Sequence, residues 1–191
     1  LINELSKKNF SIISEEIGTK LRNNSKNFWV IDPIDGTTNF LHGIPHFCIS
    51  VAFMSDQEII SGVIYDPIKN EIFYAEKNLG AFYNNQRIRV SKKNNLDDCL
   101  FGSNISGIIK DEINLRISGS AALDLAYVAS GRLDGFYQNK LNIWDIAAGI
   151  IIISEAGGIT SQIDTKKIKN HKIIAASETI YKDLTNLITN F

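Results

Sequence analysis

WVIDPIDGTTNF, residues 29–40, is the stretch on which the reading of this chain turns. The apolar run Phe28 to Ile31 reads as a short buried strand, and it ends on an aspartate. Pro33 disfavours helix at the residue before it, so Asp32 is kept on extended backbone. Asp35 follows three residues on, and Gly36-Thr37-Thr38 then resembles a helix entrance. Carboxylates are costly to desolvate unless something positive sits with them. A proline-broken i, i+3 spacing lets both acids turn toward one point, where Mg2+ would find the hard oxygen ligands it prefers. The Ile34 carbonyl can add a neutral oxygen. Free N–H groups at the helix entrance favour a phosphate beside the metal, and a metal pair clamping attacking and leaving oxygens is an established route to phosphate hydrolysis. Taken alone, DPxDG reads equally as a tight turn with Asx capping.

Outward from this stretch, Phe47 to Val90 become a meander. HFCISVAFM, EIISGVIYD, EIFYAE and AFYNNQRIRV are β-rich runs separated by turn chemistry such as MSDQ, DPIKN and KNLG. The second half alternates helix and strand. SAALDLAYVASGR (120–132) has apolar residues at helical spacing with Gly131 as a stop. LDGFYQ and KIIAAS read as strands, and ETIYKDLTNLI as a closing amphipathic helix. WDIAAGIIIISEAGG (144–158) is a mostly apolar helix closed by paired glycines, hence buried on most sides. Asp145 at its start is either an N-cap or part of the acidic set, together with Glu15-Glu16 upstream.

Bulk properties exclude several function classes. The chain has 191 residues, 44% of them hydrophobic, enough for one unit with a sizeable core. Twenty basic residues against 21 acidic give no polybasic footprint for nucleic acid or anionic membrane. No apolar run approaches the roughly 20 residues needed to span a bilayer. Cys48 and Cys99 have no metal-type spacing and read as reduced core residues of a cytoplasmic protein. The three histidines, His42, His46 and His171, are scattered, the first two shaping the loop after the acidic stretch. No P-loop, GxGxxG or Ser-His-Asp order is present.

EE at 15–16, WVIDPIDGTTNFLHGIPHFCISVAF at 29–53 and WDIAAGIIIISEAGG at 144–158, in that order, closely resemble the inositol monophosphatase family. GVIYDPIKNEIFYAEKNLGAFYN and SGSAALDLAYVASGRLDGFY extend the likeness to nearly the whole chain, and DGTTNF resembles the bacterial branch that includes the extragenic suppressor proteins. The resemblance implies a layered α-β-α-β-α sandwich and one phosphatase domain over 1–191, with a metal-binding half (1–95) and an α/β half (96–191). It implies Mg2+ dependence, lithium inhibition and a homodimer. Residue by residue, it implies that Glu15, Asp32 and the Ile34 carbonyl hold one Mg2+, and that Asp32, Asp35 and Asp145 hold a second. Gly36 and Thr37 would bind phosphate through backbone N–H groups, with the Thr37 hydroxyl near the attacking water and Glu15 orienting or deprotonating it. Gly119, Ser120, Ala121 and Gln138 would line the alcohol side, Asp145 also facing substrate, and Glu16 would support from outside.

The chain departs from the family pattern in identifiable places. It opens on Leu, and the helical segment expected before the Glu pair is represented by LINELSKKN alone, so the sandwich is expected in an N-terminally shortened form. The stretch between FGSNIS and RISGS is short, residues 162–171 are compressed, and Ser177 stands where the pattern has Asn. Gln138 replaces the usual Glu, keeping shape while losing charge. The leading expectation is hydrolysis of inositol 1-phosphate or a related polyol phosphate. Two alternatives stay open: a phosphatase for sugar bisphosphates or nucleotide phosphates, and a weakened family member that binds a protein of the transcription machinery.

Overall fold

The structure, a computed structural model, describes residues 2–8, 10–22, 26–104 and 113–189. The one-turn helix α1 (Ile2–Leu5) leads into β1 (Ser11–Ser14), β2 (Gly18–Lys20), β3 (Asn27–Asp35) and α2 (Thr37–Leu41). The meander is β4 (Cys48–Ser55), β5 (Glu58–Asp66), β6 (Glu71–Glu76), β7 (Gly80–Tyr83) and β8 (Gln86–Arg87). After a 3-10 turn at Leu96–Asp98 come β9 (Leu100–Ser103), β10 (Asn114–Arg116), α3 (Ala121–Ala129) and β11 (Gly135–Leu141). α4 (Ile143–Glu155), β12 (Gly158–Thr160), β13 (His171–Ser177) and α5 (Glu178–Thr189) close the chain.

These elements make a mixed α/β sandwich of two sheets with five helices among the described residues. The larger sheet runs β2-β1-β3-β4-β5-β6-β7-β8 and is antiparallel except where β1 lies parallel to β3. The smaller runs β10-β9-β11-β13-β12. Strand periodicity sorts side chains between layers. Cys48, Ala52 and Met54 of β4 point to the main core, with Ile64 of β5 and Phe73 of β6. On β13, Ile173 and Ala175 join that same core, while Ile174 and Ala176 face Ile180, Leu184 and Ile188 of α5. α3 and α4 fill the space between the sheets. α4 lies so close that a Cβ on Gly62 would meet its Ala148 Cα at 2.8 Å. The outer face of the larger sheet packs the rings of Phe10, Trp29 and Phe53 against one another at tilted angles, and leaves Val63 exposed there. No helix among the described residues is long and apolar enough to cross a membrane.

Three expectations need correction. AFYNNQRIRV is a hairpin and not one strand, because Asn84 and Asn85 take φ of 43° and 68°, the left-handed pair that a tight two-residue turn demands. β1, β9 and β10 stand where no strand is expected, because these runs are too short to show alternation. The 28–31 strand continues to Asp35. The shortened stretch at 105–112 lies outside the described residues.

Arg132, just after α3, clamps the end of that helix to β6 and β7. Its guanidinium donates to both Glu71 oxygens, at 2.7 and 2.8 Å, and sits 4.8 Å from the Tyr83 ring centroid and 5.0 Å from that of Tyr127. Glu71 is 9% exposed, so losing its partner strands a buried charge. Arg132→Ala is expected to cost about 3 kcal/mol in urea unfolding, with Arg132→Lys intermediate because the planar fork and stacking are lost. Equal stability of the Ala variant and the parent would refute the clamp.

Candidate active site

The acidic stretch owes its geometry to a bulge. Asp32 lies opposite Ser50 of β4 and Asp35 opposite Cys48, so three steps on β3 are matched by two on its neighbour. Residues three apart on a regular strand face opposite sides; the extra residue brings Asp35 round to the side of Asp32. The Ile34 N–H donates to Asp32 Oδ1 at 2.9 Å, the Asx bond that the sequence allowed. Gly36 then turns the chain at φ 90°, where any Cβ would press the His46 carbonyl oxygen at 3.0 Å. The Thr37 hydroxyl donates back to the Ile34 carbonyl at 2.9 Å.

Two distant segments deliver the other acids. Asp145, in the first turn of α4, accepts from the Asn142 N–H at 2.7 Å. It is therefore the third residue of the helix, bonded back to an N-cap that is Asn142 and not Asp145 itself, and it also joins Asp32 and Asp35: one carboxylate oxygen from each lies within 4.8 Å of the others. Glu15 arrives through strand register. Ser14 on β1 pairs with Ile31 on β3, and the Glu15 N–H donates to the Ile31 carbonyl at 3.4 Å, which sets Glu15 beside Asp32 at the exposed edge. Asp35 Oδ2 caps α3, accepting from the Ala122 N–H at 2.9 Å and from the Ser120 hydroxyl.

Burial dominates the electrostatics. It drives the Asp32 carboxyl well above its usual range, helped by the charges of Asp35 and Glu15. Burial raises Asp35 to about 6, against the pull of Ser120 and Ala122, and raises Asp145 to about 7. Three buried acids pushed toward neutrality in one place are the electrostatic setting in which a divalent cation would be favoured.

Glu15, Asp32, Ile34, Asp35, Gly36, Thr37, Gly119, Ser120, Ala121, Gln138 and Asp145 all line one cleft of about 340 Å³; Glu16 does not. His46 fixes the following loop by its carbonyl, which accepts from Asn39 at 2.8 Å. Cys48 and Cys99 are buried free thiols. Ser103, Asn104, Asp124, Lys140 and Asn142 also line the cleft and were not singled out from the sequence. Asp124 had a visible signal, being the lone acid in an otherwise apolar buried helix; it is 3% exposed, and burial raises it to about 7.

The model of the inositol monophosphatase family matches residues 1–190. The chain belongs to the inositol monophosphatase family. An inositol-1-monophosphatase of Mesorhizobium japonicum is 39% identical over 97% of this chain and 77% of its own length. Nus factor SuhB of Haemophilus influenzae is 38% identical over 93% of this chain and 73% of its own. The crystal structure of extragenic suppressor protein SuhB from Bartonella henselae superposes with a TM-score of 0.90 at 42% identity, covering 98% of this chain and 79% of that one. The chain is accordingly an inositol-1-monophosphatase-like phosphoric monoester hydrolase, and its acidic cleft is that enzyme's candidate active site.

Proposed function

We propose that this phosphatase hydrolyses inositol 1-phosphate or a related polyol or sugar monophosphate with two Mg2+ ions. The observation that carries the reading is the convergence of Asp32, Asp35 and Asp145 within 4.8 Å, two of them buried, beside the Gly36-Thr37 turn. The donor set fits the metal: it is all oxygen, and burial with mutual repulsion holds its carboxyls above the ordinary range. Glu15, Asp32 and the Ile34 carbonyl would hold one ion, and Asp32, Asp35 and Asp145 the other. Bound there, the metals would neutralise phosphate charge and make water acidic enough to attack near neutral pH.

The chain's own groups do the rest. Gly36 and Thr37 N–H groups face the phosphate oxygens. Because the Thr37 hydroxyl proton is committed to the Ile34 carbonyl, its lone pairs are left to accept from the attacking water. Glu15, the exposed acid of the set, takes the proton. Gly119, Ser120, Ala121 and Gln138 form the wall for the alcohol. Purified protein is expected to release phosphate from inositol 1-phosphate only with Mg2+, and less with added lithium. No Mg2+-stimulated release from any polyol or sugar phosphate would overturn the reading.

A second reading rests on the relative named Nus factor SuhB. It gives the chain a protein partner in the transcription machinery, alongside or instead of turnover. Co-purification of a defined partner with an Asp32→Asn protein would separate that role from catalysis.

A further inference from the structure

The larger sheet ends on β2, which is exposed along its length and has no strand on its far side among the described residues. Such an edge offers a row of N–H and C=O groups to any extended chain laid against it. The extended run is longer than the strand: the Arg22 N–H donates to Ser11 Oγ at 3.0 Å, which keeps residues 18–22 alongside β1. Edges are commonly guarded by charge or proline; this one runs on into Leu21, 69% exposed. Beside it lies an apolar groove of about 700 Å³ that shares no lining residue with the acidic cleft among the described residues. Ile13 and Met54 of the main core line it, with Phe28 and Ile168, which pack against that core. Thr19, opposite Ile13 in the ladder, and Leu21 line it too, two residues apart as strand alternation requires. The same alternation turns Lys20 and Arg22 to the opposite face, and neither is in an ion pair among the described residues. The groove's own charges are Lys26, paired with Asp56 at 2.9 Å, and Lys166.

We propose that β2 and this groove dock an extended segment of a partner protein in which apolar and acidic residues alternate. Its backbone extends the sheet past β2, and its apolar side chains enter the groove beside Leu21. Its carboxylates then stand across from Lys20 and Arg22, the opposite-charge pairing that stabilises neighbouring strands. The surface is distinct from the cleft, so the docking holds whether or not the proposed hydrolysis does.

A short labelled peptide alternating valine and glutamate tests it by fluorescence anisotropy, in chelator so that no metal draws its carboxylates to the cleft. It is expected to bind about tenfold more tightly than a peptide of the same composition with the valines and glutamates in separate blocks. Leu21→Ser should weaken binding about tenfold through lost apolar contact. Lys20→Glu combined with Arg22→Glu should weaken it about tenfold as well, and should transfer the preference to an alternating valine–lysine peptide. These side chains are exposed, so the variants should melt with the parent. Amide hydrogen exchange at residues 18–22 should slow when the peptide binds the parent, which places the added strand on β2. No binding at millimolar peptide, equal affinity for the alternating and blocked peptides, or exchange at 18–22 unchanged on binding would overturn the proposal. So would binding that ignores both Leu21→Ser and the charge reversal.

Discussion

Asp32→Asn is expected to cut Mg2+-stimulated phosphate release by about a thousandfold or more, while the chelated variant melts higher than the chelated parent. Both effects have one cause. Asp32 is 2% exposed, faces Asp35, Glu15 and Asp145 and is in no ion pair among the described residues, so its charge is a burden on the metal-free fold. Asparagine keeps the Oδ1 that accepts from the Ile34 N–H, so the bulge has no reason to move. What it loses is the anionic oxygen proposed to bridge two cations. Weakening the proposed metal pair would remove roughly 4 kcal/mol of transition-state stabilisation, a factor of about a thousand. Phosphate release and thermal melts with and without chelator read the two halves separately. Retained activity would mean that Asp32 is no ligand; lost activity with a lower chelated melting temperature would mean that it serves the fold instead.

How much of this was legible beforehand depended on the range of the interaction. The meander and the two buried helices were visible because their periodicity is local and strong. The acids were visible as residue types, yet their meeting depends on features that no window of sequence carries. Asp35 faces with Asp32 only through a register shift against β4. Glu15 reaches the site only because β1 is parallel to β3, a pairing four residues long and without alternation of its own. Resemblance supplied what local reading could not, namely that residues 15, 32, 35 and 145 belong together. It did not supply Asp124 or Lys140. Asp124 is concealed in a helix that reads as core, and Lys140 stands at a left-handed φ that a lysine does not advertise.

The second large effect is the pH dependence of the metal-free protein, which should grow less stable as pH rises from 5 to 8. Burial holds Asp35 near 6 and Asp145 near 7, against 3.8 for an ordinary aspartate. The folded chain therefore binds these protons more tightly than the unfolded one. Stability contributed by the protonated acids is complete below about pH 4 and is lost as pH climbs through 6 and 7. At about 1.4 kcal/mol for each tenfold gain in proton affinity on folding, the combined loss is on the order of several kcal/mol. Glu71 works with the opposite sign, since Arg132 holds it below 4.5; its contribution is lost only on acidification, below the window tested. On the proposed reading Mg2+ would bind the deprotonated acids, so its stabilisation should increase with pH and flatten the curve; a hundredfold excess over Kd would add about 2.7 kcal/mol. Asp124, raised to about 7 yet outside the proposed ligand set, should leave a residual slope even with metal present. Melting temperatures from pH 5 to 8, in chelator and in saturating Mg2+, make the comparison. A chelated curve that is flat or rises with pH would show that these acids are already compensated without metal, and the cation would then have no electrostatic reason to bind there.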